Sequence, residues 1–252
     1  MTKITVAKSG QIYLPDSYLS QHPLQAGAEL VFEPTENGLA LHFVRPDVQR
    51  VYMEVNTRCN LSCAMCVRQA WSDPQGMMSR DTFQAVLEGL KAFPNLKRVL
   101  IGGFGEPLMH PHIVEMIQQI HDMGLGVTMT SNGLLLDRKL AETLLQAGLD
   151  TLIVSIDSMH VQAYHQAGLM TDQVLGNLHG LNELMNDRGF KLPALGFEYV
   201  VTHSNLPELY QLPDLARQVG ATFIIVTNLL PHTRELEREI LYDRDEPLQL
   251  GG

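Results

Sequence analysis

Residues 54–66 have the sequence Glu-Val-Asn-Thr-Arg-Cys-Asn-Leu-Ser-Cys-Ala-Met-Cys, and this stretch decides the fold. It holds the three cysteines of the 252-residue chain, Cys59, Cys63 and Cys66, spaced Cys-x3-Cys-x2-Cys just after the apolar run 51–55. Three thiolates on one short loop can hold three corners of a cubic iron–sulfur cluster. The fourth iron of such a cluster would have no ligand from this loop and could bind a small molecule.

A zinc site and unrelated structural thiols stay open as alternatives at this point. A structural zinc site usually has four protein ligands, and the candidate histidines His42, His110 and His112 lie in distant segments. Unrelated structural thiols rarely lie so close together. The odd number of cysteines and their short spacing argue against a disulfide.

With its neighbours, the cysteine segment resembles the signature of the radical S-adenosylmethionine (SAM) enzymes. The resemblance covers about residues 51–230 and implies that Cys59, Cys63 and Cys66 bind a 4Fe–4S cluster whose open iron is chelated by SAM. One-electron reduction would then cleave SAM and release a 5′-deoxyadenosyl radical. Met65, which precedes the last cysteine, would contact the adenine. The cluster and SAM would carry the radical chemistry, while the protein positions them and excludes water.

Strand and helix patterns alternate along the chain after the N-terminal segment. Short apolar runs predict strands, and apolar residues at helical spacing predict amphipathic helices between them. The predicted strands are 51–55, 98–101, 125–130, 151–155, 195–201 and 222–227, and the predicted helices are 79–92, 111–123, 137–147, 171–187 and 206–219, three of them ended by Gly124, Gly148 and Gly220. This alternation predicts the α/β class with a parallel sheet. Because six units are too few for a closed eight-stranded barrel, the resemblance implies a partial (β/α)6 TIM-like barrel with its site at the carboxyl ends of the strands.

The second predicted strand is followed by Gly102-Gly103-Phe104-Gly105-Glu106-Pro107. Glycines let the backbone approach a ligand closely, although a tight turn alone would also account for them. The segment resembles the Gly-Gly-Glu motif of the radical SAM enzymes, with Phe104 where many members have glycine. The resemblance implies that Gly103, Gly105 and Glu106 bind the methionyl amino group of SAM, with backbone atoms mattering more than the charge of Glu106.

Polar residues also follow the third, fourth and sixth predicted strands. Small polar residues in such places commonly cap the next helix, and capping alone would account for their presence. The resemblance implies that Ser131, Asn132 and Ser155 contact SAM and that Asp157 is a further contact. It also implies that Asn228 meets the adenine or the substrate.

Charged residues and histidines also lie near the predicted site. Arg58 and Arg68 flank the cysteine loop, where they would offset the negative charge of a cluster, bind an anionic substrate or lie in solvent. Glu198 stands in an apolar strand and is predicted to face the barrel. His110 and His112 stand at a helix start and are predicted to be structural, because nothing supplies further ligands for a metal.

Residues 1–45 form a separate predicted β domain. Alternating apolar residues around Ser9-Gly10 predict one hairpin, and two apolar runs around Asn37-Gly38 predict another. The segment 8–15, Lys-Ser-Gly-Gln-Ile-Tyr-Leu-Pro, resembles the swapped-hairpin domain of the AbrB/SpoVT type. Its acidic and basic residues are mixed, so it lacks the basic surface that would bind nucleic-acid phosphates. We therefore expect this domain to support a homodimer or to dock a partner.

Composition and charge exclude several classes of function. The formal net charge of −10 and the pI of about 5.4 argue against nucleic-acid binding as the main activity. No run approaches the roughly 18 apolar residues of a membrane span, and the N-terminus lacks a secretory signal pattern. Clustered cysteines suit a reducing compartment, so we expect a cytoplasmic protein without a membrane partner.

Segments 63–71, 102–107, 200–208 and 227–232 resemble the radical SAM maturases associated with tungsten-containing aldehyde oxidoreductases. The resemblance implies a target oxidoreductase or its tungsten–pterin cofactor as partner, and a reductant such as ferredoxin or flavodoxin. Close relatives usually continue into a cysteine-bearing extension that holds auxiliary clusters. Here no cysteine follows Cys66, so no auxiliary cluster is expected.

The domain prediction is therefore a β domain over residues 1–45, a barrel over residues 50–232 and a C-terminal part over residues 233–252. Within the last part, Glu235 to Tyr242 is predicted to form a charged helix.

The leading functional hypothesis is a SAM-cleaving enzyme that matures a tungsten or molybdenum enzyme through hydrogen abstraction. One alternative is a radical enzyme that modifies a peptide or protein. Another is a non-enzymatic metal-bearing scaffold whose N-terminal module binds a partner or DNA.

Overall fold

The structure, a computed structural model, describes residues 7–9, 11–19, 30–36, 38–43, 48–156 and 168–242. The chain divides into two compact units, Met1–Asp47 and Val48–Gly252. The first unit contains a helical turn and an antiparallel hairpin, which confirms the second predicted hairpin; these elements are α1 (Asp16–Leu19), β1 (Leu30–Thr35) and β2 (Gly38–Phe43). The first predicted hairpin extends over residues outside the described ranges.

The second unit is a six-stranded parallel sheet in which the strand order follows the chain order. Its strands are β3 (Arg50–Met53), β4 (Arg98–Ile101), β5 (Gly126–Ser131), β6 (Thr151–Ser155), β7 (Ala194–Val201) and β8 (Phe223–Asn228). Its helices are α2 (Arg80–Leu90), α3 (Ile113–Asp122), α4 (Arg138–Gln146), α5 (Gly168–Arg188) and α6 (Leu212–Val219). Each parallel pair of strands is joined by a helical crossover, which confirms the predicted α/β fold with a partial barrel.

Local sequence explains where these helices begin and end. Side chains of Ser79 and Asp137 accept backbone N–H groups at the starts of α2 and α4, as N-caps do. The predicted stop signals are confirmed, because Gly124, Gly148 and Gly220 all have positive φ angles just beyond α3, α4 and α6. None of the helices in the described ranges is both long enough and apolar enough to span a membrane.

Two predicted helices differ from the structure. The helix predicted over 206–219 is divided into a 3-10 turn, Leu206–Gln211, and α6, because Pro213 favours the first turn of a new helix. The helix predicted over Glu235 to Tyr242 is wrong, since the segment contains only the 3-10 turn Leu236–Glu239. Leu236 is the buried side chain of that turn, so the segment lacks the apolar stripe that stabilises a helix by packing.

Side chains of the sheet alternate between two faces of opposite character. The outer face packs against the helices and carries the core; its fully buried residues include Val99, Ile101, Val127, Met129, Val154 and Phe197. The inner face carries Tyr52, Thr128, Thr130, Ser155 and Glu198, which the strand register places on the side away from that core. Apolar burial thus holds the barrel together from outside, whereas the inner face combines these polar side chains with apolar ones such as Ile153.

Two side chains fill the amino-terminal part of the inner face. Arg98 Nη1 donates to Oγ1 of Thr128 at 3.0 Å and of Thr151 at 3.3 Å, which joins three strands. The Phe223 ring lies over Gly196, where an added Cβ would come within 2.2 Å of the ring. Polar side chains toward the carboxyl ends of the strands remain available to a ligand.

Candidate functional site

A cavity of about 420 Å³ lies at the carboxyl ends of the strands. It brings together almost every site residue that the sequence predicted: Cys59, Cys63, Met65, Cys66, Gly103, Gly105, Glu106, Ser131, Asn132, Ser155 and Asn228. Asp157 lies outside the described residues, so its role stays a prediction. The common edge of a parallel sheet explains why segments so distant in sequence meet here.

The three cysteines are not joined by disulfides and lie half-buried in the cavity wall. Their loop is compact, because the Cys66 N–H donates to the Cys63 carbonyl at 3.0 Å. Burial raises the pKa of the Cys59 thiol, whereas the Leu61 N–H and the Arg68 guanidinium act to lower it. A thiolate at Cys59 therefore depends on nearby positive charge, which Arg68 or a bound metal would supply.

The arrangement of the thiols bears on what they hold. Among the side chains that the structure describes, no three from His, Cys, Asp and Glu converge closely enough to share one metal ion. In a cubic cluster each thiolate binds a different iron, so its ligands do not converge on a point. Three soft donors along one wall of a cavity fit such a cluster, with Cys59, Cys63 and Cys66 as its ligands.

Glu106 connects the loops that follow β4 and β5. It is 2% exposed, and its carboxylate accepts hydrogen bonds from the Leu108 N–H at 2.9 Å, the Ser131 hydroxyl at 2.8 Å and the Asn132 N–H at 2.8 Å. Burial raises the pKa of this carboxyl, and the three hydrogen bonds oppose the rise. Both carboxylate oxygens are engaged within the protein, and so are the Glu106 N–H and carbonyl, so Glu106 acts as a positioning residue and its contact with SAM stays a prediction.

Asn56 joins the cysteine loop to the loop after β4. It is 2% exposed, and its Nδ2 donates to the carbonyls of Glu106 at 2.8 Å and Arg58 at 2.9 Å. Its Oδ1 accepts the Arg58 N–H at 2.8 Å, and the Glu106 N–H donates to the Arg58 carbonyl at the same distance. The only sign of this role in the sequence is the position of an amide just before the cysteine loop.

The glycines after β4 are required by contacts within the protein. A Cβ at Gly105 would lie 1.9 Å from the carbonyl oxygen of Asn56. Gly103 has a φ of +127°, and a Cβ there would lie 2.2 Å from the carboxylate of Glu54. Contacts within the protein therefore already require glycine at both positions, and because both residues also line the cavity, their predicted contact with a ligand stays a prediction.

Asn132 links this framework to the cysteine loop. Its Nδ2 donates to Asn60 Oδ1 at 2.8 Å and lies 3.7 Å from the Sγ atom of Cys59. Its backbone N–H is held by Glu106, which also accepts from Ser131. Ser131 and Asn132 thus have protein partners for the side-chain groups that the sequence assigned to SAM, and their ligand contacts stay a prediction.

Several buried polar atoms of the described residues have no hydrogen-bond partner: Asn60 Nδ2, Arg68 Nε and His232 Nε2. Arg68 and His232 line the cavity, and Arg68 is anchored there by its Nη2, which donates to the Leu61 carbonyl at 2.7 Å. Burying an unpaired polar group costs free energy, so the Arg68 and His232 atoms indicate where a ligand would form hydrogen bonds with the protein. Of the two arginines near the loop, Arg68 lines the cavity, whereas Arg58 is exposed.

Glu198 lies beside Ser155 in the strand register and lines the cavity, which confirms its predicted orientation toward the barrel. Tyr52 lies on the same inner face. Burial raises the pKa of the Tyr52 hydroxyl, and the charges of Glu54 and Glu198 raise it further. The inner face next to the cavity is therefore acidic.

His110 has a structural role, as predicted. It is 3% exposed, its Nε2 donates to the Met78 carbonyl at 3.0 Å, and its Nδ1 accepts the His112 N–H at 3.2 Å. Both ring nitrogens are used within the protein. His112 lies near the carboxylate of Glu115, 3.7 Å from its Nδ1, on the surface of α3.

Large apolar side chains stand at the mouth of the cavity. Phe104 lines the cavity and is 50% exposed, and Trp71 packs against it in a T-shaped pair with ring centroids 5.3 Å apart. Leu230 lines the cavity from the segment after β8, close in sequence to His232. No side-chain pattern predicted Leu230 or His232 as site residues; the available signals were their position just after the sixth strand and the resemblance of segment 227–232 to the maturases.

Comparison with known proteins agrees with this geometry. A family model described as the radical SAM superfamily matches residues 53–189, more than half of the chain. A curated relative from Pyrococcus furiosus, the tungsten-containing aldehyde ferredoxin oxidoreductase cofactor-modifying protein, is 33% identical over 202 residues, which cover 77% of this chain and 55% of the relative. A probable GTP 3′,8-cyclase from Methanococcus maripaludis is 26% identical over 195 residues, which cover 76% and 62%. The chain thus spans between about half and two thirds of the length of these relatives.

A similar fold occurs in the crystal structure of Streptococcus suis SuiB bound to S-adenosylmethionine. Its TM-score is 0.63 at 17% identity, over 78% of this chain and 44% of that one. The cofactors of the family are a 4Fe–4S cluster and SAM, and the thiols and glycine-rich loops of the cavity fit them. The family match and the 33% identical relative together show that this chain belongs to the radical SAM superfamily.

Proposed function

We propose that the protein reductively cleaves SAM at a 4Fe–4S cluster and uses the 5′-deoxyadenosyl radical to mature a tungsten- or molybdenum-pterin oxidoreductase or its cofactor. The observation that carries the first step is the cavity in which Cys59, Cys63 and Cys66 share walls with the predicted SAM-binding residues. The tungsten assignment is supported by the relative named as a cofactor-modifying protein, at 33% identity.

Each part of the cavity has a role in this proposal. The cysteine loop holds the cluster, which supplies the electron for SAM cleavage when bound. Glu106 and Asn56 fix the loop that presents the backbone of Gly103 and Gly105 to the SAM amino group. Ser155 lies on the inner face, where its hydroxyl is available to the ribose.

The amino-terminal part of the inner face, below the cavity, supports the radical step in another way. Phe223 and Arg98 occupy the inner face below the site, and we expect them to limit the access of water from that end. A dry site protects a reactive radical from side reactions. Two partners complete the proposal: a reductant such as ferredoxin or flavodoxin, and a second copy bound through residues 1–45.

Anaerobic reconstitution followed by SAM cleavage tests the proposal. We expect a brown protein that forms 5′-deoxyadenosine from SAM with dithionite, and forms it faster when the apo form of a tungsten oxidoreductase is added. A colourless protein with one zinc per chain would contradict the enzyme and support a scaffold. Cleavage that the apo-oxidoreductase leaves unchanged, but that a peptide stimulates, would contradict the tungsten assignment.

A further inference from the structure

We propose that the mouth of the cavity binds a flat nitrogen heterocycle of the substrate, with its face against Phe104 and its edge hydrogen-bonded to His232 Nε2. The inference rests on the proposed function, whose pterin cofactor contains such a ring, and it identifies the part of this protein that would recognise it. The two residues come from different loops, one after β4 and one after β8, and both line the cavity.

Phe104 offers an aromatic surface at the mouth. Its side chain is half exposed although it borders a cavity, and large exposed apolar groups at a cavity mouth indicate binding. The T-shaped contact with Trp71 uses one face of the Phe104 ring at most. The remaining surface can stack on a planar ligand, as aromatic side chains stack on nucleic-acid bases.

The aromatic pair is held in place before any ligand arrives. Trp71 Nε1 donates to the Asp73 carboxylate at 2.5 Å, which fixes the indole ring. The Phe104 N–H donates to the Glu54 carboxylate, which fixes the backbone beneath the Phe104 ring. A preformed surface loses little conformational entropy on binding, so most of the free energy of the stacking contact contributes to the affinity.

His232 supplies the polar half of the recognition. Its Nε2 is buried and, among the residues that the structure describes, has no hydrogen-bond partner. An apolar ligand in the mouth would leave that nitrogen buried and unpaired, which is unfavourable, whereas a ring edge with nitrogen and oxygen atoms would pair it. The two features together select a heterocycle over an aliphatic group.

The adenine of SAM has the same chemistry and must be distinguished from a substrate ring. A cavity of about 420 Å³ is near the small end of the range of about 300–1,000 Å³ for sites of drug-sized ligands. SAM beside the cysteines would occupy most of that volume. Phe104 is half exposed at the mouth, which leaves its free surface for a second ring rather than for adenine.

The chain offers a direct probe, because Trp71 is its only tryptophan and touches Phe104. The experiment uses reconstituted protein saturated with SAM under anaerobic conditions and titrates it with neopterin. We expect saturable quenching of Trp71 fluorescence and a matching calorimetric isotherm. A peptide of leucine and valine added at the same concentration should not displace neopterin.

Variants assign the binding to the named residues. Phe104→Leu should weaken neopterin binding about tenfold, and Phe104→Tyr should retain it, because only the first removes the aromatic face. His232→Ala should weaken it several-fold by removing the hydrogen bond. Phe190→Leu is the matched control, since Phe190 is 37% exposed and is not part of the cavity wall, and it should leave neopterin binding unchanged.

Three results would overturn the inference. They are the absence of saturable neopterin binding to the SAM-loaded protein, an equal loss of SAM and neopterin affinity in Phe104→Leu, and displacement of neopterin by the peptide. The second result would assign Phe104 to adenine instead. If Phe104→Leu fails to fold or to bind a cluster, His232→Ala and Phe104→Tyr still decide the question. SAM cleavage without neopterin binding would defeat this inference alone, whereas no cleavage would defeat the proposed function.

Discussion

The two walls of the cavity differ in how their buried polar groups are satisfied. The framework wall, formed by Asn56 and the loops after β4 and β5, pairs its polar groups internally, with Glu106 accepting three hydrogen bonds. The ligand wall, formed by the cysteine loop and the segment after β8, contains the unpaired atoms Asn60 Nδ2, Arg68 Nε and His232 Nε2. One wall is therefore complete in the protein alone, and the other is completed by what it binds.

The strongest test of the ligand wall is Cys63→Ala. Two thiolates should not retain the cluster, so we expect complete loss of the brown colour and of SAM cleavage, with little change in the free energy of unfolding of the apoprotein. Absorption and 5′-deoxyadenosine formation are the measurements. Cleavage by Cys63→Ala at the rate of the unmodified protein would show that the ligand assignment is wrong.

The framework wall should instead respond through stability. Gly105→Ala would place a Cβ 1.9 Å from the Asn56 carbonyl, so we expect a loss of about 1–3 kcal/mol in the free energy of unfolding. Gly89→Ala is the control: Gly89 lies inside α2, and apart from the neighbouring backbone of its own helix no atom lies within 4 Å of an added Cβ, so helix propensity should stabilise the protein by up to about 1 kcal/mol. Denaturant unfolding measures the free energy of unfolding of both variants. Equal changes in the two would contradict the tight internal packing of the framework wall.

Glu106→Gln should also lower the free energy of unfolding, by about 1–3 kcal/mol. The carboxylate accepts hydrogen bonds at both oxygens, and in glutamine an NH2 group would replace one oxygen and face a hydrogen-bond donor. The effect should depend on pH. Burial raises the pKa of Glu106 in the folded protein above its ordinary value of 4.5, so its contribution to stability is full below the unfolded pKa and is lost as pH rises through the folded pKa.

Unfolding curves from pH 4 to pH 8 check this sign. The advantage of the unmodified protein over Glu106→Gln should shrink as the pH rises. Glu88→Gln serves as control, since the Glu88 side chain is 72% exposed and its replacement should change stability by less than about 0.5 kcal/mol. An advantage that grows with pH would show that the folded-state pKa is lowered instead.

Arg68→Gln is the mildest test of the ligand wall. The Arg68 charge acts on Cys59, and reduction makes a cluster more negative, so losing that charge should lower the reduction potential. We expect a fall of about 59 mV, equivalent to a tenfold change in a one-electron equilibrium. Potentiometry followed by electron paramagnetic resonance measures it, and Arg58→Gln, on the exposed arginine, should have a smaller effect. Equal shifts of the reduction potential in the two variants would contradict a specific effect of Arg68 on the cluster.

The fold was predictable because the second unit repeats one pattern. Buried apolar strands such as Val99 to Ile101 alternate with amphipathic helices that end at glycines, and both signals are local in sequence. The C-terminal segment was mispredicted because its charged residues suggest a helix, while stability depends on packing, which Leu236 provides in the 3-10 turn and the partly buried Leu241 provides beyond it. Propensity could not show that this segment has little to pack against.

Site residues could be predicted from the sequence where they belong to a family motif. They could not be predicted where only tertiary contacts give a residue its role. Cys59, Cys63 and Cys66 were visible from spacing, and the glycines after β4 from the motif. The role of Asn56 was not, because its partners Arg58 and Glu106 are brought together only by the fold. His232 was missed because one histidine in a loop gives no signal until the loop is placed beside the cavity.

The filled inner face beneath the site has a kinetic consequence. Because Arg98 bridges Thr128 and Thr151 and the Phe223 ring lies on Gly196 below the site, we expect molecules to reach the cysteines from the carboxyl ends of the strands. Whatever lies deepest must arrive first and depart last. Steady-state measurements should therefore show compulsory ordered turnover, with SAM binding ahead of the second substrate, and a compound lodged at the mouth should slow the escape of 5′-deoxyadenosine.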